Sequence, residues 1–196
     1  MLSVFVKVPV MAYIGTGVEY ALHCLLFLVA PLEQPPSSRD LADIQGVPAA
    51  FVAKIFSKLE KAGIVEASGG IRGGYRLARL ATDISVLDVI DAVEGQKALF
   101  DCQQVRGRCA LFDDAPPRWA NSGVCGIHAV MLNAQKVMRA ELAKSSLASL
   151  AAGMMGKGMP AGFAGEVKVW FAERQTARED ARIGGMRARS AAREDE

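Results

Sequence analysis

Neither sign of charge dominates this sequence: lysine and arginine number 23, aspartate and glutamate 21, and the formal net charge is +2. Such a balance excludes contact with polyanions through overall basicity, so any surface of that kind has to be local. Histidine occurs only twice, at His23 and His128, so each one needs a reason. Cysteine is scarce too. Cys24, Cys102, Cys109 and Cys125 are unevenly spaced and do not form the dense framework of a disulfide scaffold. In a reducing compartment such residues serve as metal ligands or redox thiols. The apolar run Val18 to Ala30 falls short of the roughly 20 residues that cross a bilayer, and Glu19 and His23 interrupt it. Residues 1–10, MLSVFVKVPV, are apolar but too short for a secretory core with its cleavage site, and Met11 is a candidate natural start. These features predict a soluble, cytoplasmic protein with no membrane partner. The length suits one domain with a real core and an appendage.

Glycine and proline punctuate what is there. Gly17 to Ala30 reads as a buried helix stopped by Pro31, and PLEQPPSS as a loop. Ser37-Ser38-Arg39-Asp40 carries a capping serine and an acid for a first turn, so SRDLADIQ predicts a short helix closed by Gly46. Val47-Pro48 opens PAAFVAKIFSKLEKAG, where Phe51, Val52, Ile55, Phe56 and Leu59 follow helical spacing and Gly63 ends the run. IVEA and YRLARL flank the glycine-rich SGGIRGG, two short strands around a tight turn. Three helices followed by a hairpin make a winged helix-turn-helix. ISVLDVIDAVEG adds a further amphipathic helix. Residues 96–124 are irregular. From Cys125 to Leu150 a long helical pattern places Ile127, Val130, Met131, Ala134, Val137, Met138 and Leu142 on an apolar face that needs a partner.

The fold class that follows is mainly α with a small β-wing: a winged helix-turn-helix plus a long C-terminal helix. The organisation is an N-terminal extension (1–15), a winged helix-turn-helix head (16–95), a cysteine-containing loop (96–124), a long helix that needs a partner (125–150), and a linker and tail (151–196). AAGMMGKGMPAGFAG reads as a flexible linker, EVKVWFAERQTARED as at most one short helix, and RSAAREDE as disordered.

Between residues 38 and 79, seven basic residues face four acidic ones, a local +3. A recognition helix enters the major groove by its N-terminal part while neighbouring cations hold phosphates. Candidate DNA contacts are Ser38 and Arg39 at one helix start, Ala49, Phe51, Lys54 and Lys58 along the next helix, and Arg72 at the wing tip. A solvated charged face is the plainer reading of the charges alone; the helix–turn–helix–hairpin order favours double-stranded DNA.

The strings YALHCLLFL, VAKIFSKLEKAGIV, GGYRLAR and SVLDVIDAVEG together resemble the bacterial winged-helix iron–sulfur regulators of the IscR and NsrR type, over residues 16 to about 150. The resemblance implies a homodimeric transcription repressor that binds a palindromic operator, with the long helix after the cysteine loop as the dimer contact. It also implies a 2Fe–2S cluster near the dimer interface that switches DNA affinity by its redox state or integrity. Two departures bear on the target sequence: Gly69 stands where the family often has an arginine early in the wing, and the recognition helix opens with Pro48-Ala49-Ala50-Phe51.

Cys102, Cys109 and Cys125 are the candidate thiolate ligands, soft donors suited to iron. The gap between Cys109 and Cys125 is longer than in the family's compact motif. Cys125-Gly-Ile-His128 offers imidazole one turn from thiolate, which makes His128 a rival ligand. GVEYALHC poses the sharper question, because Glu19 and His23 lie one turn apart on the first helix. The resemblance locates that helix near the partner's cluster loop, and the spacing nominates the pair to complete the site across the interface. Tyr20 is then placed to relay a change toward the DNA-binding helices. The plainer readings put Glu19 at a solvated helix start and make His23 a core histidine. Cys24 reads as a small core residue, and Trp119 as packing. Three competing functions remain: a cluster-free thiol switch using Cys102 and Cys109, a structural zinc protein, and an enzyme. The cysteine spacings do not resemble a paired zinc ribbon. No nucleophile–base pair is present and SGGIRGG lacks the phosphate-loop lysine, so the sequence predicts no enzyme and no small-molecule substrate.

Overall fold

The computed structural model describes residues 13–70, 73–112, 115–155 and 158–194. Helix α1 spans Thr16–Leu26 and buries Val18, Ala21, Cys24 and Leu25. Its last turn tightens through Phe27, Leu28 and Val29, so the helix ends earlier than Pro31 alone suggests. Helix α2, Ser38–Gln45, begins with a reciprocal cap. The Asp40 amide donates to Ser37 Oγ at 3.2 Å and the Ser37 amide donates to Asp40 Oδ2 at 2.9 Å. Gly46 adopts φ 64, the left-handed conformation that lets the chain turn sharply into helix α3, Ala49–Lys61. Val52, Ile55, Phe56 and Leu59 of α3 form the inner stripe of the core.

Strands β1 (Val65–Ser68) and β2 (Gly74–Leu77) pair antiparallel, with Val65 opposite Leu77 and Ser68 opposite Gly74. Gly74 has a packing reason. A Cβ there would lie 2.1 Å from the Pro35 carbonyl oxygen, and the next amide, of Tyr75, donates to the Pro36 carbonyl at 2.9 Å. The proline loop therefore clamps the wing, and Tyr75 stacks edge-on against Phe56 at 4.9 Å. Helix α4, Val86–Glu94, repeats the reciprocal cap with Ser85 and Asp88 and buries Val89, Ile90 and Val93. The segment after it is irregular apart from two short 3-10 turns and a one-turn helix, α5, Arg118–Asn121. Ring contact with Phe112 does not bury Trp119, which is 72% exposed, so the packing expected of it is slight.

The C-terminal third departs from the sequence reading. Helix α6 covers Gly126–Leu142 and does not run on to Leu150. Ser146 and Ser149 exchange hydrogen bonds that start a separate helix, α7, Leu147–Met155. The break is pinned to the start of α4: the Val86 amide donates to the Ser145 carbonyl, the Leu147 amide donates to the Ile84 carbonyl, and the Leu147 side chain is fully buried. The expected linker and disordered tail are also corrected. Helix α8 spans Phe163–Glu194, 32 residues. It is anchored because Phe171 is buried against Phe27, with Val167 and Trp170 beside it on the core. Among the described residues no helix is long and apolar enough to cross a membrane.

Candidate DNA interface and ligand-bearing loop

The helix-turn-helix is α2, the Gly46 turn and α3, with the β1–β2 wing alongside. Ser37 caps α2, so Ser38 is its first helical residue, half-buried, and Arg39 beside it is exposed. On α3, Ala49 is half-buried, and Ala50, Ala53, Lys54 and Ser57 face outward. Ser57 joins the outward face that the sequence reading assigned to Lys54 and Lys58; its helical position beside Lys54 was the available signal. Two candidates are partly engaged inside the molecule. Phe51 turns its ring edge-on to Tyr20 at 5.8 Å, which ties the first turn of α3 to α1. Lys58 donates its ammonium to the Val93 carbonyl in the last turn of α4, where the exposed carbonyl end of a helix attracts a cation. Lys58 therefore braces α3 against α4. Arg72, the expected wing-tip contact, lies outside the described residues.

The end of α4 is a junction. Asp91 accepts a two-pronged ion pair from Arg139 of α6 at 2.9 and 2.7 Å. Val93 receives Lys58 of α3, and Glu94 accepts from the Gly15 amide at the start of α1 at 2.6 Å. These contacts join α6, α1 and the recognition helix through one turn, and sequence reasoning missed them because each partner is far away in the chain.

Glu19 and His23 are both exposed on α1. They edge an open groove of about 620 Å³ that α1 shares with residues of α4, α6 and α7, including Leu22, Leu26, Ile90, Leu142 and Leu150. His23 is thus not the core histidine of the plainer reading. Cys24, one residue on, is fully buried; burial pushes its thiol up to about 12, and its Sγ approaches the Leu41 carbonyl at 3.7 Å.

In the loop, Cys109 is exposed and Cys102 and Cys125 are half-buried; all the cysteines are free thiols. Cys125 sits at the N-cap of α6. The backbone N–H of His128 holds its thiol below the usual value against the opposing effect of burial, helped by the Ile127 N–H and by the Arg106 charge. Arg106 is fixed by the Ser122 and Gly123 carbonyls. His128 packs its ring against Phe100 at 5.9 Å. Among the described residues of one chain, no three His, Cys, Asp or Glu side chains gather as a metal site. The chain does not bring Cys102, Cys109 and Cys125 together with Glu19 and His23. The donor chemistry suits iron, but a single subunit does not assemble the set.

Helix α6 presents an open face. It has no buried residue, and Ile127, Val130 and Val137 are 65%, 66% and 61% exposed.

Comparison with known proteins places this geometry. The family model Rrf2, described as an iron-dependent transcriptional regulator, matches residues 14–153. The protein rrf2 of Nitratidesulfovibrio vulgaris is 36% identical over 118 residues, 60% of this chain and 72% of that protein. The HTH-type transcriptional repressor NsrR of Streptomyces coelicolor is 33% identical over 100 residues, 47% of this chain and 68% of the relative. Among solved structures, an IscR from T. potens superposes with a TM-score of 0.57 at 24% identity, over 78% of this chain and 96% of that one, and shares the winged-helix fold. The chain is a DNA-binding regulator of transcription rather than an enzyme, and it belongs to the Rrf2 family.

Proposed function

We propose that this protein is a cytoplasmic homodimeric repressor whose grip on a palindromic operator is set by a 2Fe–2S cluster shared between subunits. The observation that carries the reading is the placement of Glu19 and His23, exposed one turn apart on α1, with Tyr20 between them touching Phe51 of the recognition helix. Two of Cys102, Cys109 and Cys125 from one subunit, with Glu19 and His23 from the other, would hold the cluster. The family's description as iron-dependent supports this. Bound there, the cluster supplies a one-electron couple, and imidazole ligation raises its potential and links it to protons.

The chain's own residues carry the response. A shift of α1 moves Tyr20 against Phe51, and a shift of α6 moves Asp91 through Arg139 and so Lys58 on α3. Two half-sites a helical turn apart demand a fixed separation of the two α3 helices. A coupling of about 3 kcal/mol changes affinity roughly a hundred-fold. The exposed apolar face of α6 supports the dimer. DNA contact then rests on Ser38, Arg39, Ala49, Lys54 and the wing, Arg72 included.

The test is anaerobic purification. Reddish-brown protein that bleaches on reduction is expected; Glu19→Ala, His23→Ala and two of the three variants Cys102→Ser, Cys109→Ser and Cys125→Ser are expected to lose the colour while His128→Ala keeps it. Loss with His128→Ala alone refutes the shared ligand set. Stoichiometric zinc in a colourless protein selects the structural-zinc alternative.

One observation favours a second reading, the cluster-free thiol switch of Cys102 and Cys109: both are free thiols, and Cys109 is exposed. In that case a peroxide is reduced to water as two loop thiols become a disulfide. Colourless, metal-free protein whose DNA binding changes on oxidation selects it.

A further inference from the structure

Helix α2 presents a difficulty for a DNA-binding head. The first helix of a helix-turn-helix lies across the phosphate backbone, yet α2 carries one arginine, Arg39, against two aspartates, Asp40 and Asp43, a charge of −1. The missing cations come from outside the family-matched region. Arg178 of α8 donates Nη1 to Asp40 Oδ2 at 2.7 Å, and Arg174 places Nε 3.9 Å from Asp40 Oδ1 and Nη2 on Asp43. The two arginines match the two aspartates in number, which leaves Arg39 as the uncompensated charge of α2 itself.

The placement is specified by the sequence of α8. Val167, Trp170, Phe171, Arg174, Gln175 and Arg178 recur at helical spacing and form one stripe. Its first half is apolar and packs on the core. Its second half is polar and reaches α2: Gln175 is buried, and the Trp170 ring lies 5.4 Å from the Arg174 guanidinium carbon. The acids Glu173 and Asp180 of α8 are exposed and off this stripe, while Glu179, half-buried at its end, accepts from Gln175 Nε2 at 2.9 Å. Asp40 is itself only 2% exposed, so it has no access to solvent to offset its charge.

We propose that α8 is a working part of the DNA-binding head: Arg174 and Arg178 neutralise the α2 aspartates, so that α2 can approach the phosphates of a duplex. The inference rests on the DNA-binding reading above and adds to it a surface built by residues 163–178.

The experiment uses the full chain and a fluorescein-labelled mixed-sequence duplex at low salt, where binding is electrostatic. Arg174→Ala is expected to weaken binding about tenfold, the effect of roughly one lost phosphate-compensating charge. Asp43→Asn in the same chain is expected to restore affinity to within about threefold, because it removes the charge that Arg174 offsets. The Arg174 and Asp43 side chains are both partly exposed, so the substitutions read charge without emptying the core. Arg174→Ala protein that binds like wild type overturns the inference. So does a loss that Asp43→Asn fails to restore, which would transfer the effect to direct contact by Arg174. Wild-type protein that binds no duplex overturns the DNA-binding reading and the inference with it.

Discussion

At the scale of single residues, two cysteines show how placement decides chemistry. Cys24 is sealed under α1 and α2, and its thiol titrates near 12. The native state keeps a proton that the unfolded chain releases near 9.0, so Cys24 makes stability fall as pH rises from about 9 toward 12. Cys125 has the opposite sign. Its lowered thiol loses its proton first in the native state, so its contribution is complete above 9.0 and disappears as pH falls through the native value. Alkylation by iodoacetamide, followed by mass spectrometry across pH, is therefore expected to label Cys125 with a midpoint below 9.0 and to leave Cys24 untouched until the protein unfolds. Labelling of both with one pH profile would contradict the structure. The pairing of Glu19 with His23 was legible because the i, i+4 interval is a purely local fact. The role of Lys58 was not, since its partner is a carbonyl 35 residues away.

At the scale of elements, the parts set by local chemistry were readable and the parts set by distant contacts were not. Both S-x-x-D caps are built reciprocally, at Ser37–Asp40 and Ser85–Asp88. Ser85→Ala is expected to lower stability by about 1 kcal/mol in urea denaturation. Ser37→Ala is expected to cost at least as much, because its hydroxyl also donates to Asp40 at 2.7 Å. The turn at Gly46 and the paired strands were equally plain in the sequence. The division of α6 from α7 was hidden, because helical periodicity continues through Ser145 and Ser146. What breaks it is the hydrogen bonding of Ser145 and Leu147 to the start of α4. Helix α8 was hidden for the same reason. Its glycines and mixed charges argue for a loose tail, and contacts far away in the chain, Phe171 on Phe27 and Arg178 on Asp40 among them, reveal why it is held.

At the scale of the whole molecule, the open face of α6 is where the proposed dimer would form. Sedimentation is expected to give a dimer, and Val130→Glu is expected to give a folded monomer, since Val130 contributes nothing to the core of its own chain. That variant is also expected to lose the advantage of two half-sites over one in DNA binding. A wild-type monomer at micromolar concentration would remove the basis for a shared cluster. In the proposed switch, helix α6 would work as a lever. Its fulcrum is the Arg139–Asp91 ion pair close to its C-terminal end, and the long limb toward Gly126 measures about 20 Å at 1.5 Å per residue. A displacement of about 2 Å at the cysteine end would then become a rotation of about 6° at the head. That exchanges a small chemical event for an angular change that a duplex with fixed helical pitch can register.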